Sequence, residues 1–169
     1  MLWDLEKGQA IRNLTDAGDC PVQYAAFSPD GRTLAVGEAA GSPQDVLIMD
    51  SHTGEVKGRL SGHEAGIRTL AFSPDGLTLA TAGLDRKVIL WDLKTYRIRR
   101  GLGESVGLIE SLAFSPDGTR LAFGGEDQRL SIWDFNRPRL VSIDRRTHAR
   151  ALHRLTRRHT DAETRLPGA

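Results

Sequence analysis

The sequence predicts an all-β chain: a partial β-propeller of about three four-stranded blades plus an N-terminal half-blade, followed by a basic tail of coil or short helix. Three observations predict it. The five-residue turn Phe-Ser-Pro-Asp-Gly occurs three times, starting at Phe27, Phe72 and Phe114, at spacings of 45 and 42. The pairs Met49-Asp50, Trp91-Asp92 and Trp133-Asp134 are 42 apart each time, and Trp3-Asp4 lies 46 before the first of them. Between these markers run short, apolar, β-compatible segments, and a period of 40–45 residues built from four such strands is the signature of propeller blades.

The unit at 62–92 is the most complete copy and justifies the elements of the others. Ile67, Leu70 and Phe72 lead into Ser73-Pro74-Asp75-Gly76. There proline presets φ, aspartate can bond its own backbone and glycine accepts a positive φ. Residues 77–82 form a second strand, 83–87 a polar turn and 88–91 a third strand. The chain begins with the end of a third strand at Trp3-Asp4, and residues 9–14 follow as an outer fourth strand. Residues 1–14 are therefore a half-blade holding only the third and fourth strands. Residues 15–60 form the first full blade, with strands at 22–27, 33–37, 46–49 and 55–60. Residues 61–102 form the second, its fourth strand at 97–102. Residues 103–143 form the third, with strands at 108–114, 119–124 and 129–133 and an outer strand at 140–143 just after Pro138, a place where an edge tolerates proline.

From residue 144 the repeat is lost. Residues 137–169 hold nine arginines against three acidic residues, whereas the rest of the chain holds fourteen basic and nineteen acidic ones. Residues 147–158 show a short, weakly amphipathic helical pattern. Composition otherwise excludes little: 39% hydrophobic and 27% charged residues are ordinary for a soluble chain, and the net charge is +1. A single cysteine, Cys20, excludes an internal disulfide framework, and no apolar run is long enough to span a bilayer. With no signal peptide visible after Met1, a reducing cytoplasm is the expected compartment and no membrane partner is expected.

Gly62-His63, Trp91-Asp92, Trp133-Asp134 and the repeated turn make residues 1–135 similar to the tryptophan-aspartate (WD) repeat family of β-propellers. The resemblance implies a non-enzymatic scaffold whose loops meet a protein partner. It also implies a buried network: His63 before the first strand, Thr81 on the second, Asp85 in the turn and Trp91 on the third. A hydrogen-bond chain through these four ties three strands together, and breaking it at Asp85 is expected to cost about 1 to 3 kcal/mol. The third repeat keeps Asp127 and Trp133 but has Ser105 and Phe123 in place of histidine and threonine. The first has Gly18, Pro43 and Met49 instead of histidine, aspartate and tryptophan. The middle blade is therefore expected to be the stiffest. The Ser-Pro-Asp-Gly style resembles bacterial members of the family.

Candidate chemistry is sparse. Thr81, His63 and Asp85 match the inventory of a hydrolase, but their fixed blade positions explain them as structure. Asp30, Asp75 and Asp117 sit where turn geometry alone requires them. His148, His153 and His159 are spaced five and six apart, which scatters them around a helix, so no metal site is expected. Gly101-x-Gly103 falls between strands and lacks the helix a phosphate loop needs, and no cofactor is expected. The arginine-rich tail is the alternative functional feature, since it could neutralise nucleic-acid phosphates, although no aromatic residue is interleaved for base stacking. Partner contacts are expected from the exposed first-strand positions Gln23, Arg68 and Glu110, with Leu84 and Glu126 before the turn aspartates; Arg68 is the preferred candidate. Because propellers close with four to eight blades, the sequence points to part of a larger propeller, with a homodimer completing the ring as the alternative.

Overall fold

The computed structural model describes residues 2–4, 7–12, 22–38, 45–104 and 107–143. The tail pattern at 147–158 and the positions Gly18, Pro43 and Ser105 lie outside the described residues. All regular structure among the described residues is β. A two-stranded sheet pairs β1 (Leu2–Asp4) with β2 (Gln9–Arg12). The first four-stranded blade is the meander β3 (Val22–Phe27), β4 (Thr33–Glu38), β5 (Val46–Asp50) and β6 (Val56–Leu60). The second is β7 (Ile67–Phe72), β8 (Thr78–Gly83), β9 (Lys87–Asp92) and β10 (Arg97–Glu104). The third is β11 (Ile109–Phe114), β12 (Arg120–Gly125), β13 (Leu130–Asp134) and β14 (Arg139–Ile143).

Two departures from the sequence expectation have local causes. Gly101 and Gly103 lie within β10 and not between strands, because after a register irregularity Glu104 returns to pair with Lys87. In the second and third blades the second strand begins one residue late, at Thr78 and Arg120, since Leu77 and Thr119 are held in the turn by their N–H bonds to Asp75 and Asp117 and by carbonyl bonds from the Leu93 and Phe135 N–H groups. Pro138 falls in the turn before β14, where no ladder hydrogen is needed.

Strand alternation gives each blade two apolar faces, and these make the core. One face of the first blade (Ala35, Val46, Ile48 and Leu60) packs on Ile67, Leu79, Ile89 and Trp91 of the second. The opposite face of the second (Ala80, Ala82, Val88 and Leu90) packs with Leu102 on Ile109, Leu112, Leu121 and Phe123 of the third. Leu34, Val36, Leu47 and Met49 form a third buried cluster on the remaining face of the first blade. Because β7 touches both β3 and β11, the first strands of the three blades lie together on the inner side. The architecture is that of a partial β-propeller.

Close approach at that inner side needs a missing side chain. A Cβ at Gly37 would fall 2.8 Å from Ile67 Cγ2, whereas one at Gly101 would meet nothing within 4 Å. Gly37→Ala is therefore expected to destabilise the chain by about 1–3 kcal/mol, while Gly101→Ala leaves the urea midpoint unchanged or raises it. Equal midpoints for the two variants would contradict this junction.

Candidate functional site

The four residues His63, Thr81, Asp85 and Trp91 come together across the second blade. The Trp91 indole N–H donates to Thr81 Oγ1 at 2.7 Å, His63 Nε2 lies 2.7 Å from the same hydroxyl, and His63 Nδ1 lies 2.8 Å from Asp85 Oδ2. One proton arrangement satisfies all of them. The hydroxyl accepts from the indole and donates to an unprotonated Nε2, and Nδ1–H donates to the carboxylate. Asp85 also accepts from the backbone N–H groups of Glu64 and Lys87. It thereby joins the segment before β7 to the turn between β8 and β9, a join completed by the Leu84 N–H to the Gly66 carbonyl.

Burial holds the His63 imidazole below its ordinary value of 6.5, and this outweighs the upward pull of Asp85. Burial pushes Asp85 upward, but the N–H bonds from Glu64 and Lys87 and the bond from His63 leave its carboxyl below the usual range. The pair is a neutral imidazole donating to a carboxylate. Its side chains are 1% and 4% exposed, and Thr81 is fully buried. With the hydroxyl enclosed between indole and imidazole, no substrate carbonyl can reach it, so the arrangement does structural work and lacks the access that nucleophilic attack requires.

The other two blades resolve the same positions differently. In the third, Phe123 occupies the place of Thr81, and the Trp133 Nε1 is buried with no hydrogen-bond partner among the described residues. Asp127 accepts from the Arg129 N–H. The Arg100 guanidinium from the neighbouring blade lies 5.4 Å over the Trp133 ring. In the first blade, Val36 and Met49 fill the equivalent places with buried apolar side chains.

Two sets of residues carry more than the sequence expectation gave them. The serines of the repeated turn, Ser28, Ser73 and Ser115, each donate to the aspartate two residues on, at 2.5, 2.5 and 2.6 Å. Each also accepts the N–H five residues on, at 2.9 Å. The glycines there have φ of 70°, 69° and 70°. The serine bond, with backbone N–H bonds, holds Asp30 and Asp75 below the usual range and Asp117 at about 2. Asp50, Asp92 and Asp134, at the ends of the third strands, each accept two backbone N–H groups from the turn that follows. In-phase recurrence of serine and aspartate was the signal available for both.

Of the candidate partner residues, Arg68 and Glu110 occupy equivalent positions on adjacent blades and pair with each other, Nη2 to Oε1, at 3.4 Å. Leu84 is 41% exposed and Glu126 is also exposed, each beside its turn aspartate. The side chain of Gln23 lies outside the described residues. No group of three or more His, Cys, Asp or Glu is placed to hold a metal ion among the described residues. No described helix is long and apolar enough to cross a membrane.

Residues 54–92 and 98–134 match the model for the WD domain, G-beta repeat family. These two stretches are WD repeats. Proteins with such repeats are in general protein-interaction scaffolds. Among similar proteins, a WD repeat-containing protein SL1-17 of Schistosoma mansoni is 31% identical over 127 residues, covering 52% of this chain and 42% of that protein. Transcription factor unc-37 of Caenorhabditis elegans is 39% identical over 89 residues, covering 52% of this chain and 14% of its own length. Meiotic recombination protein rec14 of Schizosaccharomyces pombe is 38% identical over 63 residues, covering 37% and 20%. The chain thus spans less than half the length of these relatives.

Because the Trp91 N–H is bonded and the Trp133 N–H is not, Trp91→Phe should cost about 1–3 kcal/mol more than Trp133→Phe, read from denaturant midpoints. Equal costs would contradict the assigned bonding. The protonation states set an acid response as well. An unfolded chain takes up the His63 proton near 6.5, above the pH at which the folded chain does, so stability is full above 6.5 and falls as pH drops through the window just below it. Asp85 and the turn aspartates contribute stability present above 3.8 and lost as pH falls through their lower folded values. Thermal midpoints measured from pH 8 to 5 should fall, and the slope should flatten in His63→Asn; an unchanged slope would place His63 outside this linkage.

Proposed function

We propose that the chain is a non-catalytic protein-interaction scaffold, forming part of a WD-repeat propeller and meeting its partner with the blade end that carries Arg68, Leu84, Glu110 and Glu126. The observation that carries this reading is a division of labour within one blade. The hydrogen-bonded tetrad is sealed, while at the same end the side chains beside the turn aspartates stand in solvent on a backbone that those aspartates bond. A preorganised loop end lowers the ordering cost of binding a protein surface. Leu84 offers an apolar contact flanked by charge, and Arg68 can exchange Glu110 for a carboxylate on the partner. The cytoplasm is the proposed compartment. The arginine-rich tail of the alternative nucleic-acid reading lies outside the described residues.

The test is comparative capture with wild type, Leu84→Asp and the double variant Arg68→Ala/Glu126→Arg, each checked for unchanged thermal midpoint. The same proteins should be lost from both variants by at least about tenfold, the effect of removing one interface anchor. Retention of every captured protein, or a hydrolytic activity that disappears in Thr81→Val, would defeat the proposal.

A further inference from the structure

The two blade junctions differ at one place on the outer strand. Gly58 in β6 pairs with Ile48, and Arg100 in β10 pairs with Leu90, so the two residues stand in corresponding positions. In the first junction a tyrosine of the next blade fills the space beside that position: a Cβ on Gly58 would fall 2.9 Å from Tyr96 Cδ2. In the second junction Pro138 stands where the tyrosine was, four residues after the terminal aspartate of the third strand, and Arg100 replaces the glycine. A cleft of about 710 Å³ is open there, within the size range of ligand sites. The second blade lines it with Thr78, Leu90, Arg99 and Arg100. The third lines it with Phe114 and Phe135, whose rings stack with 6.1 Å between centroids.

Two neighbouring arginines line one cleft because Arg99 is the extra residue of a bulge: Ile98 pairs with Trp91, and Arg100 with Leu90. Strand neighbours ordinarily face opposite sides, and a bulge re-aims one of them. The corresponding cation of the first blade, Lys57, is spent on Asp50 at 2.7 Å. Arg99 instead donates to the Thr78 hydroxyl at 3.0 Å, and Arg100 lies over the Trp133 ring. Neither is in an ion pair among the described residues, and each guanidinium carries five N–H donors. We infer that this cleft receives an acidic residue and an adjoining aromatic one from a protein partner, the carboxylate meeting Arg99 and Arg100 and the ring lying against Phe114 and Phe135. This rests on the scaffold reading and adds a second docking point, at the blade end opposite Leu84. Tyr96 in the first junction is the internal precedent for the ring. A polyanion fits less well. Asp75 and Asp117, each bonded within its own turn, border the same cleft and repel a run of phosphates, whereas a single carboxylate can sit between the arginines.

Peptide titrations followed by NMR on the full chain test this, with arginine Nε–H and indole N–H signals as reporters. Acetyl-Gly-Glu-Phe-Gly-amide should give saturable shifts of Arg99, Arg100 and, through Arg100, Trp133. The same peptide with glutamine in place of glutamate should bind at least about tenfold more weakly, the loss of a charge-assisted pair. Arg100→Gln should weaken the acidic peptide to the same extent. Arg100→Gly combined with Pro138→Tyr, which rebuilds the first junction in the second, should abolish its binding. Arg97→Gln, on the same strand and outside the cleft, should leave the affinity unchanged. The contrast between peptides needs no variant, so it stands even where a substitution disturbs the blade. Equal affinity for the two peptides, no saturable shift, or binding indifferent to Arg100→Gln would overturn the inference, as would displacement of the peptide by a thymidine oligonucleotide. Leu84→Asp should not alter these titrations, so the loop-end reading and the cleft can fail separately.

Discussion

Every blade must bury two faces at once, and the rest of the structure follows from that. A four-stranded antiparallel sheet with apolar residues on both sides is unstable alone. Here the second blade is stabilised by a neighbour on either side. The residue sizes differ accordingly: alanine and branched aliphatics on one face, leucine and aromatic or long side chains on the other. Large groups of one blade then enter the space left by small groups of the next. Glycine at position 37 serves the same end, since it lets the first strand of the second blade come close.

Within this apolar stack the second blade alone among the described residues holds a complete polar relay. Its value lies less in the energy of any one bond than in the absence of an unmet group: indole, hydroxyl, imidazole and carboxylate are each satisfied by the next. The first and third blades reach stability by other means. The first replaces the relay with Val36 and Met49 and so has nothing polar to satisfy. The third keeps the indole and loses the hydroxyl, leaving a buried donor whose cost is partly offset by the Arg100 guanidinium over its ring. Three homologous positions thus show a relay, a simple apolar substitute and a mixed state.

Much of this was legible in the sequence, because the turns that set the register are local. Pro-Asp-Gly fixes a reversal within four residues, and with three such reversals in phase the strands between them could be placed to within one or two residues. The tetrad could be named because the resemblance to WD repeats implies it at His63, Thr81, Asp85 and Trp91. What escaped depends on distances that no local pattern encodes. The Arg68–Glu110 pair exists only because adjacent blades present equal positions side by side, so two residues 42 apart in sequence meet. The extension of β10 to Glu104 is decided by its partner Lys87, and the tautomer of His63 by the indole beyond its hydroxyl neighbour.

The serine at the head of each turn has a bearing on chemical modification. Ser28, Ser73 and Ser115 each precede a proline, a sequence context that invites phosphorylation. In the folded blade each hydroxyl is already spent twice, giving its hydrogen to an aspartate and taking an N–H from the next strand. A phosphate there would set a second anion against a carboxylate held ionised at close range. Ser28 and Ser73 are buried as well, so a mark found on either would record a blade that had opened, or one caught before it folded.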